Sequence, residues 1–119
     1  MEPCAPRFAQ QLKKGILEML VLQLIARRPS HGYELLLRLR EGSSGLLTLK
    51  EGTLYPILYR LEDEGCIVSA WQNQAAEGRP MPRKVYTITP KGLDTLNAEQ
   101  QVWQAFRACV DTFTGRDEA

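Results

Sequence analysis

The sequence predicts a mainly α-helical fold with one small β-hairpin, closed by a long final helix. Apolar residues recur at helical spacing in three segments before Gly65, and two β-rich runs, "CIVSAWQ" and "RKVYTIT", come next. A long amphipathic stretch then opens on Thr89-Pro90. With 119 residues the chain is expected to be one folded unit with a modest core, small enough for a partner to matter to its stability.

Met1 to Gln11 carries two prolines and no sustained period, and is expected to be a loose arm, 1–11. From Leu12 to about Arg27 the apolar set Ile16, Leu17, Leu20, Val21, Leu24 and Ile25 is too broad for a helix with one wet face, which predicts a helix covered on two sides. Pro29 ends it, and Ser30 is the expected N-cap of a second helix, "HGYELLLRLRE", whose Leu35, Leu36 and Leu39 face inward. Gly42-Ser43-Ser44-Gly45 is a turn.

The third helix, "TLYPILYRLEDE", is expected from Thr53 to Glu64, with Thr53 as N-cap so that Pro56 falls in the first turn, where no N–H is required. Gly65 supplies a left-handed stop. The two β-rich runs make a hairpin with a long loop, Asn73 to Pro82; Lys84, Tyr86 and Ile88 share one face of the second strand, and Val85 and Thr87 the other. Thr89 caps the last helix, Pro90 to Phe113. Its Leu96, Trp103 and Val110 lie seven apart, as do Phe106 and Phe113 on the neighbouring row. Such a stripe outruns what three short helices and a hairpin can cover, so it calls for a second chain. Leu20, Leu96, Trp103, Phe106, Val110 and Phe113 are the expected dimer contacts.

Charge and cysteines narrow the function classes. Fifteen basic and fourteen acidic residues leave a net charge of +1, so any electrostatic footprint is local: Arg79, Arg83, Lys84 and Lys91 cluster, whereas Asp111, Asp117 and Glu118 crowd the end. Cys4, Cys66 and Cys109 are odd in number and lack CxxC spacing, which argues against a disulfide framework or a zinc site and for reduced thiols. "KKGILEMLVLQLIARRP" imitates a signal peptide, but Glu18 and Gln23 interrupt its apolar run and it is too short to span a bilayer. The expectation is a cytoplasmic protein without a membrane partner. His31 at a helix start reads as a structural hydrogen-bonding group, and Glu62-Asp63-Glu64 as a solvated helix end, because consecutive carboxylates point in different directions. No phosphate-binding glycine loop, Ser-His-Asp set or HExxH is present; neither enzyme nor cofactor is indicated.

Helix, helix, helix, hairpin is the order of a winged helix-turn-helix, whose third helix enters the DNA major groove. The sequence also resembles the PadR-like transcriptional regulators, in particular their short members with a single C-terminal helix. The resemblance spans about Leu12 to Phe113 and rests on "LKKGILEMLVLQLI", "HGYEL", "GTLYPILYRLEDEG" and "GRPMPRKVYTITPKG". Val85 stands where the family often has the first of two tyrosines, and Met81-Pro82 extends the wing tip. What the resemblance implies is a dimeric DNA-binding repressor in which the tyrosine of "TLYP" and its neighbours meet the operator and the terminal helices pair. The domains expected are 12–89 for DNA, 90–114 for dimerisation, and a tail, 115–119.

The face of the third helix opposite Leu54, Leu58 and Leu61 presents Thr53, Tyr55, Tyr59 and Arg60, with Lys50 just before it. Hydroxyls and cations at a helix start suit phosphate oxygens and base edges; the competing reading packs both tyrosines at the core's rim. Arg79, Arg83 and Lys84 on the hairpin are expected to reach a minor groove. Trp103 is expected to pack between subunits and to stack on an aromatic small-molecule effector there, as in some regulators resembling this one. Two-fold symmetry implies a pseudo-palindromic site on double-stranded DNA. The alternatives are a winged-helix protein-interaction module that binds no DNA, and a redox or metal sensor using Cys66 or Cys109.

Overall fold

The computed structural model describes residues 5–72 and 83–115. In chain order the elements are α1 (Ala5–Arg27), β1 (Ser30–His31), α2 (Gly32–Gly42), α3 (Glu51–Asp63), β2 (Ile67–Gln72), β3 (Arg83–Ile88) and α4 (Pro90–Thr114). The order is that of a winged helix-turn-helix with an added C-terminal helix. The sheet has three antiparallel strands in the order β1-β3-β2. β2 and β3 pair from Ile67↔Ile88 to Gln72↔Arg83, and β1 adds Ser30↔Tyr86 and His31↔Val85.

Helix starts depart from the sequence expectations in three places. Helix α1 begins at Ala5, so 5–11 is helical and not a loose arm; Met1 to Cys4 lie outside the described residues. Pro6 sits in the first turn, where its missing N–H has no intrahelical acceptor, and once a helix exists each added residue gains one bond. His31, not Ser30, caps α2: its Nδ1 accepts from the Glu34 N–H at 3.2 Å, while Ser30 is buried and its Oγ accepts from Arg38 Nη1 at 2.7 Å. The structural hydrogen bond expected of His31 is this cap. Helix α3 starts at Glu51 with Lys50 as an extended N-cap that makes no side-chain cap bond, so Thr53 is not the cap and Pro56 falls inside the helix. The proline is tolerated because the carbonyl it leaves without a donor, that of Gly52 four residues back, lies on the exposed side of α3.

The stops and the last helix follow expectation. Gly65, at φ +78°, closes α3 with Cys66 N–H donating to Leu61 O (2.9 Å) and Gly65 N–H to Glu62 O (3.0 Å), the paired bonds of a Schellman end. Thr89 Oγ1 accepts from the Gly92 N–H at 3.0 Å with Pro90 first in α4.

The core gathers Leu17, Val21, Leu22 and Ile25 of α1, Leu35 and Leu39 of α2, and Leu54, Ile57, Leu58 and Leu61 of α3; Ile67 and Tyr86 of the sheet close it. Helix α1 packs against α2, β3 and α4, which explains its broad apolar face. Leu96 is 4% exposed and belongs to this core, so it leaves the set of expected dimer contacts. The reason is that α4 docks on α1 through its first half and departs only beyond it: residues 101–110 are all exposed.

Candidate nucleic-acid interface

Helix α3 buries one side and bares the other. Leu54, Ile57, Leu58 and Leu61 fill the core, while Lys50, Gly52, Thr53, Pro56, Tyr59 and Arg60 are exposed. Tyr55 lies between the two, half-buried, with its hydroxyl end packed on Gly32, where an added Cβ would fall inside contact distance. Tyr59 is therefore the tyrosine that stands out on α3. The two rings are 6.2 Å apart and tilted by 40°. Burial, then Glu51 and Tyr59, raise the Tyr55 pKa, so its hydroxyl stays protonated and able to donate at neutral pH. Arg60 already has a partner, Glu18 Oε1 of α1, at 2.7 Å. The pair is exposed, a setting in which ion pairs contribute about 0–1 kcal/mol, so the guanidinium is free to exchange this carboxylate for a phosphate.

The root of the hairpin carries the other cations. Arg83 Nη1 lies 3.0 Å from His31 Nε2, and Lys84 Nζ sits 5.3 Å from the centroid of the Trp71 ring, opposite it in the register. Arg83 can only donate, so its bond to His31 needs Nε2 without a proton, whereas the α2 cap bond needs Nδ1 without one; the neutral ring serves one of the two at a time. Arg79 and the wing tip, Met81-Pro82 included, lie outside the described residues. His31, Trp71, Arg83 and Lys84, together with Tyr33, Tyr55 and Tyr59, surround a cavity of about 340 Å3. Tyr86, 1% exposed, lines it too; burial, then Tyr55, Glu62 and Tyr59, push its pKa up to about 12. His31, Gly32, Tyr33 and Trp71 were not among the binding residues expected from sequence. "HGY" was noticed, but nothing in one strand's sequence says which helix start it will face.

The second feature is apolar. Trp103, Phe106, Val110 and Phe113 are exposed on α4, Phe113 at 85%, and Leu20 is partly buried against the core. Between α1 and α4 runs a groove of about 730 Å3 lined by Leu12, Ile16, Met19, Val102, Trp103 and Phe106 among others. Glu99 lies in it with Oε1 buried and without a hydrogen-bond partner among the described residues. Cys66 is buried and Cys109 exposed; among the described residues no three of His, Cys, Asp and Glu gather as a metal site, and no helix is long and apolar enough to cross a membrane.

The sequence profile of the PadR-like transcriptional regulator family matches residues 21–98, which hold the C-terminal end of α1, all of α2, α3 and the sheet, and the start of α4. The chain belongs to that family. A solved PadR-family transcriptional regulator from Eggerthella lenta is similar to this PadR-like protein with a TM-score of 0.80 and 31% identity, covering 92% of this chain and 91% of its own. A PadR-like transcriptional regulator from Bacillus cereus matches with a TM-score of 0.74 and 32% identity over 87% of this chain and 96% of its own. An uncharacterised protein of Lysinibacillus sphaericus is 28% identical over 100 residues, 84% of this chain and 89% of the relative.

Glu99 yields a pH prediction for this regulator. Burial, then Glu18 and Glu64, raise its pKa, so the folded state holds the proton to higher pH than the unfolded chain and stability falls as pH rises from the unfolded value through the raised one. Glu99→Gln is expected to raise the Tm at neutral pH, and the gain should vanish toward pH ~4, where the unfolded carboxyl is itself largely protonated. Thermal melts at several pH values check both.

Proposed function

We propose that this PadR-like regulator binds a pseudo-palindromic site on double-stranded DNA as a homodimer and represses transcription until an aromatic effector enters between the subunits. The observation that carries it is the bare start of α3 beside the cations at the root of the hairpin, on a chain whose net charge is only +1. Thr53 and Tyr59 offer hydroxyls for base edges and phosphate oxygens, Lys50 and Arg60 cations, and the free N–H groups of the first turn a positive end. Tyr55 supports Tyr59 from the flank. Arg83 and Lys84 approach the neighbouring backbone or minor groove.

Binding to duplexes from the region upstream of its own coding sequence, against random duplex at two salt concentrations, tests the reading. Two half-sites one turn apart, about 10 base pairs, or a multiple of that, are expected; equal affinity for random DNA would refute specific binding. Arg83→Ala should weaken binding to every sequence alike and reduce the salt slope by about one unit for its lost phosphate contact. An unchanged slope removes Arg83 from the interface.

Release by an effector requires that it bind one dimer arrangement better than the other, since equal affinity shifts nothing. In a Trp71→Phe background, Trp103 is the single tryptophan. A planar aromatic ligand that lowers DNA affinity should quench it, and release of DNA without any change in Trp103 emission would place the effector elsewhere.

A further inference from the structure

All four tyrosines of the chain, Tyr33, Tyr55, Tyr59 and Tyr86, and one of its two tryptophans, Trp71, line one cavity of about 340 Å3 between α2, α3 and the hairpin. Core packing does not account for this concentration, because Tyr33, Tyr59 and Trp71 are each more than half exposed. The described ionisable side chains at its wall other than tyrosines are Arg83, Lys84 and His31, with no carboxylate among them. Gly32 is what keeps it open at the α2 side, since a side chain there would collide with the end of the Tyr55 ring. Aromatic faces receive a flat ring in the absence of any sequence of hydrogen bonds, and Lys84, held over Trp71, places a cation beside that ring. Arg83 brings its guanidinium to the same end, where Nη1 lies 3.0 Å from His31 Nε2, next to the first turn of α2.

We propose that this cavity is a binding site for a free nucleoside monophosphate, with the base among Tyr33, Tyr59 and Trp71 and the phosphate on Arg83 and Lys84. Two cations on one cavity wall match a phosphomonoester dianion better than a single carboxylate. The volume falls at the lower end of small-ligand sites, about 300–1,000 Å3, and admits a ring with a sugar phosphate. The tyrosine hydroxyls add donors for ring or sugar oxygens. This site is distinct from the groove around Trp103 but shares Tyr59, Arg83 and Lys84 with the proposed operator surface; its occupancy is measured without DNA, so its failure is distinguishable from a failure of operator binding.

Calorimetric titration of the full chain with AMP, GMP, CMP and TMP, and separately with adenosine and with inorganic phosphate, tests it. At least one nucleotide is expected to bind at least ~10-fold more tightly than adenosine or phosphate. Lys84→Gln and Tyr59→Ala, both at positions outside the core, should each weaken that nucleotide by about 10-fold or more, and only Tyr59→Ala should weaken adenosine. Circular dichroism melts of each variant show that it remains folded. Absence of nucleotide binding below about 1 mM overturns the proposal. So does phosphate binding as tightly as any nucleotide, which would mark a plain anion seat of the kind a DNA backbone uses, or nucleotide affinity that neither substitution changes.

Discussion

Gly92→Ala is expected to destabilise the folded chain by about 2–4 kcal/mol, read as a lowered urea midpoint with an unchanged slope. In an exposed helix the same change would stabilise by roughly 1 kcal/mol, because alanine is the better helix former. The sign reverses because a Cβ on Gly92 would lie 2.7 Å from Ile88 Cγ1, 3.0 Å from the carbonyl carbon of Cys66 and closer still to its oxygen. Backbone does not rotate away as a side-chain end does. The junction is also fastened from other directions: Thr89 N–H donates to Cys66 O at 3.0 Å, Thr89 Oγ1 to Gly65 O at 2.6 Å, and Lys91 Nζ to Glu64 O at 2.5 Å. Relief of the clash therefore requires α4 to lift off the end of α3. Gly15→Ala in α1, with nothing within 4 Å of its added Cβ, is the control and should gain stability. If both substitutions stabilised, α4 would not be seated on the α3–β2 turn as described.

The parts of the fold legible in the sequence were those set by local chemistry. The apolar period placed four helices, the Gly65 and Thr89-Pro90 signals ended one and started another, and alternation put Tyr86 and Ile88 toward the core and Thr87 outward. What escaped was set by contacts between distant segments. β1 is two residues long and exists because Ser30 and His31 find β3, more than fifty residues away. The cap of α2 passed from Ser30 to His31 because Ser30 was drawn into that strand, its oxygen taken by Arg38. Ala5 to Gln11 carried no period because that end of α1 lies beyond the core, with Gln11 and Leu12 leaning only on the groove beside α4.

The candidate site divides along the same line. The exposed side of α3 followed from helical geometry, but the separation of Tyr55 from Tyr59 did not. At 100° per residue the two are close on the wheel, and only the approach of Gly32 decides which one is enclosed. Leu96 shared a heptad row with Trp103 and Val110, yet the row passes from chain interior to surface along its length, and spacing alone does not mark where.

That passage makes the strongest functional prediction. Beyond Gln100, α4 runs for more than two turns with every residue through Val110 exposed, and Val102, Trp103, Phe106, Val110 and Phe113 keep from 43% to 85% of their surface bare. In a two-fold dimer each substitution counts twice, and burying a Phe side chain is worth about 1.5–3 kcal/mol, so Phe106→Glu removes about 3–6 kcal/mol before the cost of placing two carboxylates together. The variant should sediment as a monomer at micromolar concentration, where the unaltered chain is expected to sediment as a dimer. Phe106 is 63% exposed in the single chain, so its thermal stability as a monomer should change little. The effect on DNA then follows from geometry. A dimer whose two third helices are held at the spacing of two half-sites makes the second contact intramolecular, and losing that advantage costs about 100-fold or more in affinity for a two-half-site duplex. Affinity for a single half-site should change by less than about three-fold, since α3 and the hairpin root lie on other elements. Equal loss on both duplexes would mean that the substitution damaged the DNA-reading face itself, and a monomeric unaltered chain with full affinity for the paired site would dispose of dimerisation through α4.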